Sequence, residues 1–176
     1  MKALRYFGER DIRHDSMEDP KLESDRDAIV QMTACSICGS DLHIYHGHGF
    51  SEDTGFCVGH EAVGEVVEVG RAVTRVKVGD KVMMPAAVGC GACRSCLSGV
   101  VNNCENNGSG CYGLSARLQG VQAEAFRVPA ADMNAVKIPE GISEDQALMM
   151  TDAMATAWFG ARNADIRPGS SVGVIG

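Results

Sequence analysis

Residues 59–84, GHEAVGEVVEVGRAVTRVKVGDKVMM, set the expected architecture. The Val-rich run Glu61–Val69 reads as a strand, and Val76–Met84 as two short strands around a Gly79-Asp80 turn. Working outward, Asp27–Thr33, Gln122–Val128 and Ala135–Ile138 repeat the same texture. Short strands punctuated by Gly and Pro, continuing to about residue 140, predict a barrel or sandwich.

Beyond that point the texture changes. Ser143-Glu144-Asp145-Gln146 fits a capping box, with Ser143 as N-cap and Gln146 three residues later. Met150, Met154, Trp158 and Ala161 follow at helical spacing, which predicts a helix near 151–163. After the Pro168-Gly169 turn, Ser171–Gly176 (SVGVIG) reads as a buried strand ending at glycine. A strand ending in glycine is how a dinucleotide-binding unit begins, and the expectation is a truncated chain.

Composition narrows the function. The chain has 176 residues, long enough to bury a core without staples. With 16 Lys+Arg against 23 Asp+Glu the net charge is −7, which argues against nucleic-acid or anionic-membrane partners. No apolar run reaches the roughly 18 residues of a membrane-spanning helix. The N-terminus, MKALRYFGERDIRHD, turns charged too soon for a secretory signal, so a cytoplasmic protein is expected.

Eight cysteines are the unusual feature. Cys90, Cys93, Cys96 and Cys104 crowd into one loop with two-residue spacings and neighbouring glycines. Four thiolates this close repel one another unless a cation joins them, and tetrahedral zinc accepts four sulfurs. A closed four-sulfur site leaves no open position, so its role is structural. Disulfides and an iron–sulfur cluster are the alternatives. The segments CGSDLH (38–43) and GHE (59–61) form a second constellation of cysteine, histidine and carboxylate, a normal donor set for catalytic zinc. Taken singly, each of these residues has an ordinary packing or surface explanation.

Read together, these segments resemble the zinc-dependent medium-chain alcohol dehydrogenases. The resemblance rests on CGSDLH at 38–43, GHEAVGEVVEVG at 59–70, VGDKV at 78–82 and the four-cysteine loop. The stretch DMNAVKIPEGISEDQALMMTDAMATAWFGA at 132–161 is similar to the bacterial secondary-alcohol dehydrogenases.

The resemblance implies that Cys38, His60 and Asp152 ligate catalytic zinc and that Cys90, Cys93, Cys96 and Cys104 hold structural zinc. Many relatives carry cysteine or glutamate where Asp152 stands. In a continuous helix Asp152 would lie about 200° from Met150 and Met154, away from the apolar stripe. Asp41 would orient the His60 ring, and Glu61 matches an acidic residue that approaches zinc during ligand exchange. Ser40 and His43 match a proton relay, and Gly176 the first glycine of a cofactor-binding turn. The implied reaction is hydride transfer from an alcohol, a secondary one by the likeness to the secondary-alcohol branch, to NAD or NADP, giving a ketone or aldehyde.

The implied fold is mainly β with helices. Residues 1–148 form a GroES-like, partly open barrel, and residues 149–176 supply the first helix and strand of a truncated Rossmann domain. Two zinc ions per chain, a small-molecule alcohol or ketone substrate and a homo-oligomeric full-length enzyme follow from the family. The fragment alone is expected to be inactive. Threonine or polyol dehydrogenases, or a non-catalytic zinc-binding module of the same fold, are the alternative readings. Cys35, Cys57 and Cys111 are assigned to packing, Met149, Met150 and Met154 to the core, and Asn102–Gly108 to the surface of the cysteine loop. His14, His46 and His48 are read as surface residues.

Overall fold

A computed structural model describes residues 1–106 and 110–175; Asn107, Gly108, Ser109 and Gly176 lie outside the described residues. Strands β1 (Lys2–Gly8), β2 (Asp11–Ser16) and β4 (Phe56–Cys57) form one sheet, in the order β2-β1-β4. A second sheet runs β7-β3-β5-β6-β8, from β3 (Ala28–Cys35), β5 (Ala62–Val69), β6 (Lys81–Met83), β7 (Ala125–Val128) and β8 (Val136–Lys137). Every strand pair is antiparallel. The segment before β7 bonds to both β1 and the β4 region: Leu4 N donates to Gln122 O (2.8 Å), and Gln122 N to Val58 O (3.1 Å). That bridge joins the two sheets into a partly open barrel, as expected.

The core follows from alternation along the central strands. Ala28 and Val30 of β3 and Ala62 and Val66 of β5 are buried with Val82, Tyr112, Phe126 and Val128. Gly64 lets β3 and β5 close, since a Cβ there would collide with the Gln31 carbonyl. The register shifts opposite it, between Met32 and Ala34.

Helices α1 (Gly39–Tyr45), α2 (Arg94–Leu97), α3 (Ala131–Asn134), α4 (Glu144–Thr151) and α5 (Ala153–Asn163) fill the connections. The capping box at Ser143 forms as read: Gln146 N donates to Ser143 Oγ (3.2 Å) and Ser143 N to Gln146 Oε1 (3.0 Å). It opens α4, whose Ala147 and Leu148 pack on Val63 of β5.

Four expectations change. Val76–Val78 form no strand: Gly79 N donates to Val66 O and Asp80 closes a tight turn onto Lys77, so only Lys81–Met83 pairs with β5. The helix expected near 151–163 is two helices broken at Asp152. The Thr151 carbonyl leaves the helical pattern and accepts from Ala86 N (3.2 Å). The core assignment of Met149 and Met154 fails, because both are exposed together with Trp158 and Phe159, and α5 buries no residue. Residues 171–175 form no strand and are exposed, with no strand beside them among the described residues. The β1–β2 hairpin, turning at Arg10 with φ +57°, was not read from the charged N-terminal sequence.

Candidate metal centres

Antiparallel pairing of β3 with β5 places Cys35 opposite Ala62, so the chain leaving β3 and the chain entering β5 meet at one end of the sheet. Cys38 lies just beyond the first and His60 just before the second. Cys38 is the N-cap of α1, and its backbone N–H donates to Asp41 Oδ2 at 2.9 Å. Gly59, at φ +90°, turns the chain so that buried His60 faces the same space. Asp152, at the joint between α4 and α5, supplies the third group.

The donor atoms of Cys38, His60 and Asp152 all lie within 4.8 Å of one another. Asp152 Oδ2 is 3.5 Å from His60 Nε2 and 3.6 Å from Cys38 Sγ. Its other oxygen accepts from Thr156 Oγ1 at 2.8 Å, which aims Oδ2 at the cluster. Thr156 escaped the sequence reading, although its position four residues on, one turn along α5, was the available signal.

Behind His60, Asp41 is also buried. Its Oδ1 stands 3.6 Å from His60 Nδ1, and neither atom has a hydrogen-bond partner among the described residues. Burial pushes the Asp41 carboxyl upward, against the lowering effect of the Cys38 N–H and of His60. A thiol, an imidazole and a carboxylate converge from three segments with a second carboxylate behind the ring. This set suits a divalent metal and leaves one tetrahedral position to a non-protein ligand.

Ser40 Oγ lies 3.8 Å from Cys38 Sγ, and His43, one turn further along α1, is exposed. Glu61 is buried outside the three-donor cluster, and its Oε2 accepts from Ser36 Oγ at 2.6 Å. Cys57 is buried as expected, but Cys35 is exposed, contrary to its assignment to packing. Half-buried Cys111 lies near the cluster. Burial, with Asp152, Asp41 and Cys38 nearby, pushes its thiol up to about 12. His14, His46 and His48 are exposed, as read.

The loop cysteines Cys90, Cys93, Cys96 and Cys104 likewise bring their sulfurs within 4.8 Å of one another. All eight cysteines are free, and Cys93 Sγ and Cys104 Sγ are 3.9 Å apart, far beyond a disulfide bond. Backbone N–H groups point at the sulfurs: Ala92 and Cys93 N donate to Cys90 Sγ (3.4 and 3.3 Å), Cys96 N to Cys93 Sγ (3.5 Å) and Cys90 N to Cys104 Sγ (3.3 Å). The Ala92 N–H leads in holding the Cys90 thiol down to about 6, whereas burial pushes Cys96 up to about 11. Donors aimed at sulfur stabilise thiolates, which is the form a metal needs. Asn134, missed by sequence reading, clasps the root of this loop. Its Oδ1 accepts from Gly89 N (3.0 Å) and its Nδ2 donates to Gly89 O (2.8 Å) and Pro129 O (2.7 Å).

Residues 24–140 match the family model of the alcohol dehydrogenase GroES-like domain. The chain belongs to this family. It is 44% identical over 177 residues to a probable zinc-binding alcohol dehydrogenase of Mycobacterium tuberculosis, covering 100% of this chain and 45% of that protein. Among solved structures, it is similar to an alcohol dehydrogenase from Thermus sp. ATN1, with a TM-score of 0.89 and 35% identity, over 96% of this chain and 49% of that one. A second is an alcohol dehydrogenase of Escherichia coli CFT073 complexed with NADH, with a TM-score of 0.70 and 31% identity, over 85% and 42%. This GroES-like chain thus spans about half the length of the relatives it matches. Both sulfur-bearing constellations lie within it, although Asp152 falls beyond the matched domain.

Proposed function

We propose that this chain is the metal-bearing part of a zinc-dependent alcohol dehydrogenase. In this reading, a small secondary alcohol is oxidised to a ketone, or a primary one to an aldehyde, with hydride transfer to NAD or NADP. The carrying observation is the convergence of Cys38, His60 and Asp152 beside Ser40. These three residues would hold the catalytic zinc, and Cys90, Cys93, Cys96 and Cys104 the structural one.

When bound, zinc in the three-donor site supplies Lewis acidity toward an alcohol oxygen. The chain's own groups divide the remaining work. Asp41 faces His60 Nδ1 from behind the ring, where it would orient the imidazole so that Nε2 turns to the cluster. Thr156 holds Asp152 through Oδ1. Half-buried Ser40 would accept the hydroxyl proton at Oγ while giving up its own, and exposed His43, one turn along α1, would pass a proton on to water. The four-cysteine site anchors a loop that has little core of its own.

The domain reading goes with this: residues 1–148 form the metal-bearing domain, and 149–176 begin a Rossmann cofactor domain. Helix α4 straddles that boundary. Gly176, assigned to cofactor binding, lies outside the described residues. A homo-oligomeric, cytoplasmic enzyme completes the proposal. No helix among the described residues is long and apolar enough to cross a membrane.

The test is hydride transfer by the whole protein, comparing primary with secondary alcohols and NAD with NADP, alongside zinc per chain by elemental analysis. Ser40→Ala is expected to abolish turnover with zinc content unchanged. Full turnover by Ser40→Ala, or an enzyme indifferent to zinc removal, would overturn the reading.

A further inference from the structure

Ser36 is held at three points between the two metal-facing segments. Its N–H donates to Glu61 O (3.1 Å), its carbonyl accepts from Gln122 Nε2 (3.0 Å), and its hydroxyl donates to Glu61 Oε2 at 2.6 Å. The second and third contacts tie the exit of β3 to two other segments, so the hydroxyl has little freedom to move.

Glu61 follows His60 directly and is buried. Its main chain is fixed by the Ser36 N–H, which leaves side-chain rotation as its route to the donor cluster. Its place in the chain next to His60 keeps the carboxylate near the cluster, although it is not one of the three converging donors. A buried carboxylate beside a three-donor metal set is a competitor for the fourth coordination position. The 2.6 Å bond from Ser36 is the contact that its Oε2 makes.

We propose that Ser36 is a positioning residue whose hydroxyl latches Glu61 outside the Cys38–His60–Asp152 cluster, keeping the fourth position open to substrate. This rests on the metal-site reading above. The latch is strong because Ser36 is pinned through its own backbone, so the hydroxyl cannot follow the carboxylate if it swings. It is also selective. A hydroxyl is required at residue 36, so threonine serves and alanine does not.

The test uses the zinc-loaded chain with the three-donor site stripped by a chelator and refilled with Co2+, leaving zinc on the four cysteines. The readout is the cobalt visible spectrum, titrated with azide as a probe of the open position. In the unmodified chain azide shifts the spectrum. Ser36→Ala is expected to show a changed resting spectrum and azide binding weakened about tenfold, the lower end for losing a group that orients a metal site. Ser36→Thr restores the original behaviour, and Ser36→Ala with Glu61→Gln restores azide binding. Ser36→Gly, which removes the hydroxyl without adding bulk, is expected to weaken azide binding to the same extent, and this arm stands even if Ser36→Ala fails to fold. Azide affinity unchanged in Ser36→Ala or in Ser36→Gly overturns the latch while leaving the metal site in place. Failure of the unmodified chain to take up cobalt there overturns both readings.

Discussion

Cys38 and Asp152 are 114 residues apart in the chain, and Cys38 Sγ stands 3.6 Å from Asp152 Oδ2. The sheet alone delivers Cys38 and His60 to one end, through the pairing of Cys35 with Ala62. Asp152 arrives only because Ala147 and Leu148 of α4 dock on Val63 of β5. The third donor therefore reports on tertiary docking, whereas the first two report on strand register.

Asp152→Ala is expected to lower zinc per chain by about half, because the two sites are independent and a four-sulfur site is complete without it. Cys93→Ser is expected to remove the other half. Elemental analysis of the two variants separates the sites, and loss of all zinc from either one would show that they are coupled.

Asn134 is 1% exposed, and Ala there strands the Gly89 N–H and carbonyl that it now satisfies. Leaving buried polar groups unpaired costs about 1–3 kcal/mol each. At roughly 2–4 °C per kcal/mol for a chain of this size, Asn134→Ala lowers the melting temperature by several degrees in a thermal scan.

In the metal-free chain Cys90 is a thiolate at neutral pH, since N–H donors hold its pKa down to about 6. Thiolate is the reactive form and prevails above that value, so alkylation of Cys90 by iodoacetamide at pH 7 is fast and slows as pH falls through about 6. Cys57 and Cys111, both pushed up to about 12 by burial, stay unlabelled under the same conditions. Zinc protects Cys90. Peptide mass spectrometry after timed alkylation reads all three sites.

Gly64→Ala sets a Cβ against the Gln31 carbonyl, a backbone atom within the paired β3–β5 ladder. Overpacking of this kind costs about 1–3 kcal/mol. A urea melt is expected to show a lower midpoint with little change in slope.

Much of the barrel was legible because Val-rich strands punctuated by glycine carry their period in the sequence. Ser143 and Gln146 announced α4 for an equally local reason. The cysteine spacings likewise announced their cluster, since two-residue gaps converge on one centre whatever the surroundings. Asp152 was different. Its residues 150–161 scan as one helix, and the break arises because Ala86, far away in sequence, takes the Thr151 carbonyl. The β1–β2 hairpin hid for the opposite reason: its faces are only partly buried, and charged residues such as Arg5, Asp11 and Arg13 interrupt any alternation. Ser36, Thr156 and Asn134 act through single hydrogen bonds or clasps, which leave no periodic trace.

The break at Asp152 also has a mechanical consequence. Helix α5 runs 11 residues, so measured from the joint that carries the third donor it is a lever of about 16 Å. A sideways push of about 1.5 Å at the far end of such a lever tilts it by about 5°. Thr156 rides on the arm and grips Asp152, so the tilt re-aims the carboxylate while Cys38 and His60, rooted in the sheet, stay still. A tilt of α5 would thereby change the aim of one carboxylate and leave the other two donors where the sheet sets them.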